Sequence, residues 1–140
     1  MTPPHFTLTV PVKVASLGSL RGPAAFAPLP VDPGSYRTWF PAAALRRLGI
    51  VVEKPAVTFV TPDGREMLRD VGFAFFRCGP FETVDEVVFA GEFDTPRLGA
   101  RTLIGFGARL DRHGQGLVPA APHPVATGAI SALYGPVVRV

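Results

Sequence analysis

From Phe6 to Val14 apolar and polar residues alternate (Phe-Thr-Leu-Thr-Val-Pro-Val-Lys-Val), the period-two pattern of a strand with one buried face. Pro11 within it points to an edge or a bulge, because proline cannot donate to a ladder. Ser16 to Pro23 reads as a turn region, and Ala24 to Val31 is a short apolar run that stops at Asp32. Pro33-Gly34-Ser35 forms a loop, followed by an extended stretch at Tyr36 to Phe40. Pro41 suits the first helical position of a short helix over Ala42–Leu48, stopped by Gly49. Further strands are expected at Ile50–Val52, Ala56–Val60, Met67–Phe76 and Val84–Phe89. Thr61-Pro62-Asp63-Gly64 supplies a hairpin turn and Gly79-Pro80 another. After the loop Gly91–Pro96 a second short helix is expected over Arg101–Phe106. Ala108–Asp111 and Gly116–Val118 then close as a hairpin around Arg112–Gln115.

The pattern repeats weakly. Asp32-Pro33-Gly34-Ser35 leads to a helix ending in Leu48-Gly49, and Arg97-Leu98-Gly99-Ala100 leads to one ending in Phe106-Gly107. Two structurally similar halves within one small β domain are expected. From Pro119 the chain changes to a Pro/Ala/Gly-rich stretch, read as a tail over 120–140 with a terminal strand at Val137–Val140.

Composition supports this outline. The 140 residues are one domain's worth, 47% hydrophobic and only 18% charged, which excludes a disordered chain. Sixteen prolines and fifteen glycines interrupt any long helix and favour short strands joined by turns. The net charge of +3 comes from basic residues scattered singly, apart from Arg46-Arg47, and so lacks the clustered footprint of nucleic-acid binding. Cys78 is the sole cysteine, which excludes an intrachain disulfide, and its strand setting suggests a half-buried structural role. The N-terminal Met-Thr-Pro-Pro-His-Phe has neither a basic nor an apolar signal segment, and no apolar stretch is long enough to span a bilayer. A cytoplasmic protein without membrane contact is the expectation.

Few residues offer chemistry. His5, His113 and His123 stand at no ligand spacing, so neither a metal site nor a cofactor is expected. No serine lies in a nucleophile elbow and no glycine loop precedes a phosphate-binding lysine. What remains is Asp32, which ends an apolar run and enters Pro33-Gly34-Ser35 with no basic neighbour before Arg37. The same four residues also suit a plain type II turn, with Pro then Gly at its centre.

The surroundings of Asp32 resemble the retropepsin-like aspartic proteases, in particular their small bacterial single-domain members. The matching elements are Leu29-Pro30-Val31-Asp32-Pro33-Gly34-Ser35, the segment Phe40–Ile50, and the turn Thr61-Pro62-Asp63-Gly64-Arg65. Val87-Val88-Phe89, Arg97–Leu103, Leu110-Asp111 and Gly116–Pro119 complete the likeness, which runs over roughly residues 7–119 in order and spacing. The resemblance implies an all-β fold, a small closed or partly open β-barrel with one or two short helices, occupying 1–119. It implies an aspartic-type endopeptidase in which two carboxylates share a proton and activate a water. Only Asp32 lies in the matching context, so it implies a homodimer in which the Asp32 carboxylates meet on the two-fold axis. Gly34 and Ser35 are expected to support the carboxylate, Pro62, Asp63 and Gly64 to cover an extended peptide or protein substrate, and Leu98, Gly99 and Ala100 to form the second loop. Where the family has threonine this chain has Pro33, with neither hydroxyl nor N–H. That departure keeps a second reading open, a catalytically weak or inactive dimerisation or peptide-binding module. Phe40, Phe59 and Phe73 are core candidates that also suit subsites, and Trp39 is expected to pack beside the Asp32 loop.

Overall fold

The computed structural model describes residues 8–19, 21–111, 113 and 116–122. Strand β1 (Thr9–Ala15) turns its valines inward: Val10, Val12 and Val14 are buried while Thr9 and Pro11 are exposed. It pairs antiparallel with β2 (Ala24–Asp32). The Val31 amide donates to the Leu8 carbonyl, which sets the phase of this ladder. Thr9–Pro30 and Pro11–Pro28 therefore fall on non-hydrogen-bonded pairs, where the missing proline N–H groups cost the ladder nothing. Next come β3 (Thr38–Pro41) and helix α1 (Ala42–Arg47). The helix ends on Gly49 at φ 74°, with Gly49 N–H bonded to the Arg46 carbonyl and Ile50 N–H to that of Leu45. This is a Schellman cap, and it buries Leu45 and Ile50 together in the core.

Strand β4 (Lys54–Val60) forms a hairpin with the first half of the 13-residue β5 (Glu66–Cys78), and β6 (Phe81–Ala90) pairs along the second half. Then follow β7 (Leu98–Gly99), helix α2 (Ala100–Phe106), and the small ladder of β8 (Ala108–Leu110) with β9 (Leu117–Pro119). The main sheet runs β3-β6-β5-β1-β2-β7, with β4 hydrogen-bonded to β5 off this path. An isolated antiparallel bridge between Trp39 and Arg97 links the two ends, so the sheet curls toward itself without closing as a regular barrel. The fold is all-β with two short helices, as the sequence predicts.

The sheet order reads as two related halves. β1-β2-β3-α1 corresponds to β5-β6-β7-α2, with β1 against β5 at the centre. Each half lays its third strand parallel beside the second strand of the other: β7 beside β2, β3 beside β6. Val31, Phe40 and Gly49 correspond to Phe89, Leu98 and Gly107, each 58 residues further on, and both glycines take left-handed φ (74° and 67°). The weak repeat in the sequence is thus a pseudo-two-fold relation, and Trp39 and Arg97 face each other across it.

Several boundaries differ from expectation. Ile50–Val52 is not a strand: the cap holds Ile50, which enters the core from irregular backbone. Pro41 is the N-cap (φ −54°, ψ 127°) and the last residue of β3 rather than the first helical residue. Gly34 does not take the positive φ of a type II turn, although Ser35 N–H does close on the Asp32 carbonyl. Pro11 lies in a strand interior to the sheet order, yet β5 pairs only with Lys13–Ala15, so Pro11 is locally at an edge. Residues 1–7, Leu20 within the expected turn region, Arg112, Gly114, Gln115 and the tail from His123, including the terminal strand expected at Val137–Val140, lie outside the described residues. No helix among the described residues is long and apolar enough to cross a membrane.

Among the described glycines, Gly99 has the closest backbone neighbour. A Cβ there would overlap the carbonyl group of Arg37. Gly99→Ala is therefore expected to destabilise the fold by about 1–3 kcal/mol through overpacking. At Gly49 nothing lies within 4 Å of an added Cβ, so Gly49→Ala should cost about 1 kcal/mol through φ alone. Urea-denaturation midpoints of the two variants test this ranking.

Candidate functional site

Asp32 is the last residue of β2, placed beside Gly99 by the parallel pairing of β2 with β7. The chain then turns sharply, and the Gly34 N–H donates to Asp32 Oδ1 at 3.0 Å. A Cβ at Gly34 would lie 3.2 Å from that oxygen, so glycine leaves the carboxylate its place. Ser35 does not support the carboxylate: its Oγ donates to the Arg37 carbonyl at 2.9 Å, so it ties the loop to itself. The second oxygen, Oδ2, receives Arg97 Nη1 at 3.1 Å, while Arg97 Nε donates to the Thr95 carbonyl. Asp32, read from the sequence as having no nearby base, has one 65 residues away, brought in by the chain segment that enters β7. Asp32 and Arg97 are 38% and 33% exposed.

The pair sits in a cleft of about 650 Å³. The floor is the Asp32 loop with Trp39, the cover is Phe59–Pro62 and Met67 of the β4–β5 hairpin, and Phe93–Thr95 make a third wall. Trp39 meets Phe59 with ring centroids 5.0 Å apart and planes tilted by 59°, so floor and cover touch through aromatic rings. Of the expected covering residues, Pro62 lines the cleft, whereas Asp63 and Gly64 are exposed at the hairpin tip. There the Gly64 N–H bonds to the Thr61 carbonyl, and Thr61 Oγ1 to Asp63. Leu98 and Gly99 are buried supports rather than lining, and Ala100 begins α2 with its N–H on the Ser35 carbonyl. Phe40 is core, Phe59 lines the cleft and Phe73 lies under the Lys54 ammonium. Burial pushes the Cys78 thiol up, which disfavours the thiolate.

Beneath the floor lies a polar network absent from the sequence reading. The Gly99 N–H donates to Thr38 Oγ1, Thr38 Oγ1 meets Thr102 Oγ1 at 2.6 Å, and Thr102 Oγ1 donates to Asp85 Oδ2 at 2.8 Å. A carboxylate only accepts, so its position at the end of the chain makes every hydroxyl donate toward Asp85. Arg101 Nε reaches Asp85 Oδ1 at 3.0 Å. The neighbouring Glu86, 3% exposed, receives Arg37 Nε at 2.8 Å and the Lys54 ammonium. These bonds, from Lys54 first and Arg37 next, hold the Glu86 carboxyl down at about 2. Arg37 in turn lies 5.7 and 5.6 Å from the centroids of Tyr36 and Phe59, so Glu86 anchors the loop after Asp32 and, through Phe59, the covering strand. Arg69 donates to both oxygens of Asp94 (2.6 and 3.0 Å), tying the third wall to β5 and keeping the Asp94 carboxyl low. Two adjacent acids inside the apolar run Val84–Ala90 were the available sign: neighbouring strand residues face opposite ways, so both needed built partners.

The pseudo-two-fold decides what one chain can supply. The position 58 residues after Asp32 is Ala90, 3% exposed. One copy therefore presents one carboxylate at this place, and its repeat carries a methyl group.

No protein-family model and no curated protein matches the chain. Among solved structures, the chain is similar to the protease of simian foamy virus (mac), determined in solution. The two are 22% identical, the match covers 67% of this chain and 91% of that one, and the TM-score is 0.42. A likeness that loose carries no argument about this site, whose reading rests on its own residues.

The Glu86 anchor gives stability a pH dependence. Its carboxyl lies at about 2 when folded and near 4.5 when free, so its contribution is complete above about 4.5 and is lost as pH falls toward 2. Over that window the loss should be on the order of 3 kcal/mol. Urea unfolding at pH 7, 4 and 2.5 should show it, and Glu86→Gln should flatten that part of the profile while lowering stability at pH 7.

Proposed function

We propose that the chain is an aspartic-type endopeptidase of the retropepsin kind, active as a homodimer. The unit spans 1–119, with 120–140 as a tail. What carries this reading is the placement of Asp32: a carboxylate at a strand end, held by the Gly34 amide and opening into a cleft covered by a hairpin. The order of elements that resembles retropepsins around this residue supports it, as does Ala90 at the repeat position, which leaves a second copy as the source of the second carboxylate.

In the proposed mechanism two Asp32 carboxyls share one proton, since two like charges about 3 Å apart do not both ionise. The ionised member takes a proton from a water held between them. The protonated member gives its own to the carbonyl oxygen of the scissile bond. The hydroxide oxygen bonds to the carbonyl carbon. The C–N bond then breaks as one carboxyl protonates the leaving amine and the other takes a proton from a hydroxyl of the tetrahedral species, which restores the single shared proton. The extended substrate lies between the Asp32 loop and the β4–β5 hairpin. Asp32 Oδ2 must leave Arg97 for this to occur.

That requirement, together with Pro33, favours a second reading: a catalytically weak or inactive retropepsin-like module for dimerisation or peptide binding. A cleavage assay on an unfolded protein at mildly acid pH separates the two. For the enzyme, the wild-type chain cleaves, and Asp32→Asn lowers the rate on the order of 10³-fold while remaining folded. No cleavage by the wild-type chain, with cleavage gained in Pro33→Thr, identifies the inactive module.

A further inference from the structure

Among the described residues, four charged side chains line the cleft: Asp32, Arg37, Asp94 and Arg97. Two have their counter-ions outside it, Arg37 in Glu86 and Asp94 in Arg69. Asp32 and Arg97 have each other, through one bond of 3.1 Å between partly exposed groups. A guanidinium carries five N–H donors, and the Arg97 bonds to Asp32 and Thr95 use two of them.

We propose that Arg97 determines specificity, selecting peptides with a glutamate or aspartate side chain beside the backbone presented to Asp32. The inference rests on the protease reading for its charge balance. A working pair of Asp32 carboxyls holds one proton and so one negative charge, while two copies of Arg97 bring two positive charges. One Arg97 per dimer is left without Asp32 as its counter-ion in a cleft walled by Trp39, Phe59 and Phe93; Asp94 also attracts it, but both Asp94 oxygens are already held by Arg69. A substrate carboxylate restores neutrality through a charge-assisted bond, for which the planar guanidinium offers paired donors. It also takes Arg97 from Asp32, so the ligand frees the carboxylate that acts on it. A lysine side chain in the same place meets repulsion.

The test uses the full chain and capped hexapeptides of alanine and phenylalanine, with one Glu, Gln or Lys placed in turn at each position. Binding is read by titration calorimetry and cleavage by mass spectrometry. Wild-type protein should bind the best glutamyl peptide about tenfold more tightly than its glutaminyl counterpart. Arg97→Gln should remove that difference, while Asp32→Asn, which removes the competing carboxylate, should enlarge it and lower cleavage on the order of 10³-fold. Equal binding and cleavage of glutamyl and glutaminyl peptides overturns the role of Arg97 and leaves the protease intact. A glutamyl preference that Arg97→Gln removes, without cleavage of any peptide, supports the role and overturns the protease. Neither binding nor cleavage overturns both. If Arg97→Gln does not fold, the Asp32→Asn variant decides: no gain in glutamyl preference overturns the proposal.

Discussion

Leu98 and Gly99 run parallel to the end of β2 and pass directly over the backbone of Arg37, a passage that exists because Gly99 has no side chain. Much of the site hangs on this approach. It sets Asp32 level with Gly99, gives the Gly99 N–H to Thr38, and brings Ala100 and Arg101 onto the carbonyls of Ser35 and Tyr36. The residue just before it, Arg97, is thereby delivered to Asp32. One close contact thus orders a turn, a hydroxyl relay and an ion pair.

The charged groups under the floor divide the work. Asp85 receives the relay and Arg101, which locks α2 to β6. Glu86 gathers Arg37, Lys54 and Arg101 from three different segments. Burying two adjacent carboxylates is costly unless every lone pair has a partner, and no unpartnered buried side-chain atom occurs among the described residues. Such a cluster is rigid by construction. The Asp32–Arg97 pair is built differently, with a single bond between partly exposed groups, and is the exchangeable element in the cleft.

The pseudo-two-fold explains why a small chain holds a well-formed cleft and only one carboxylate at its centre. Duplicated strands and helices bury their apolar faces in a common core, and left-handed glycines end both helices. The two bridging positions have diverged into Trp39 and Arg97, one supplying an aromatic wall and the other a cation.

Local pattern carried much of this in advance. Alternation marks β1, the turn residues mark the hairpin at Thr61–Gly64, and Gly49 and Gly107 end both helices, because each of these features depends on neighbours within a few positions. Asp32 was legible as the candidate acid for the same reason: an apolar run that halts on a carboxylate before a glycine turn is a local signal. Ile50 has the apolar character of a strand residue yet is none, because apolar character alone does not separate a ladder residue from a core plug set by a helix cap. The Gly34 amide on Asp32 was legible too, but the side-chain partners Arg97 of Asp32, Arg37 and Lys54 of Glu86, and Thr102 of Asp85 were not. They come from 65, 49, 32 and 17 positions away in sequence, and nothing in the composition of a strand says which distant side chain its neighbours will bring. Local backbone preference determined most of the elements and the place of the candidate acid; the pairing of β7 beside β2 decided the charge that faces it.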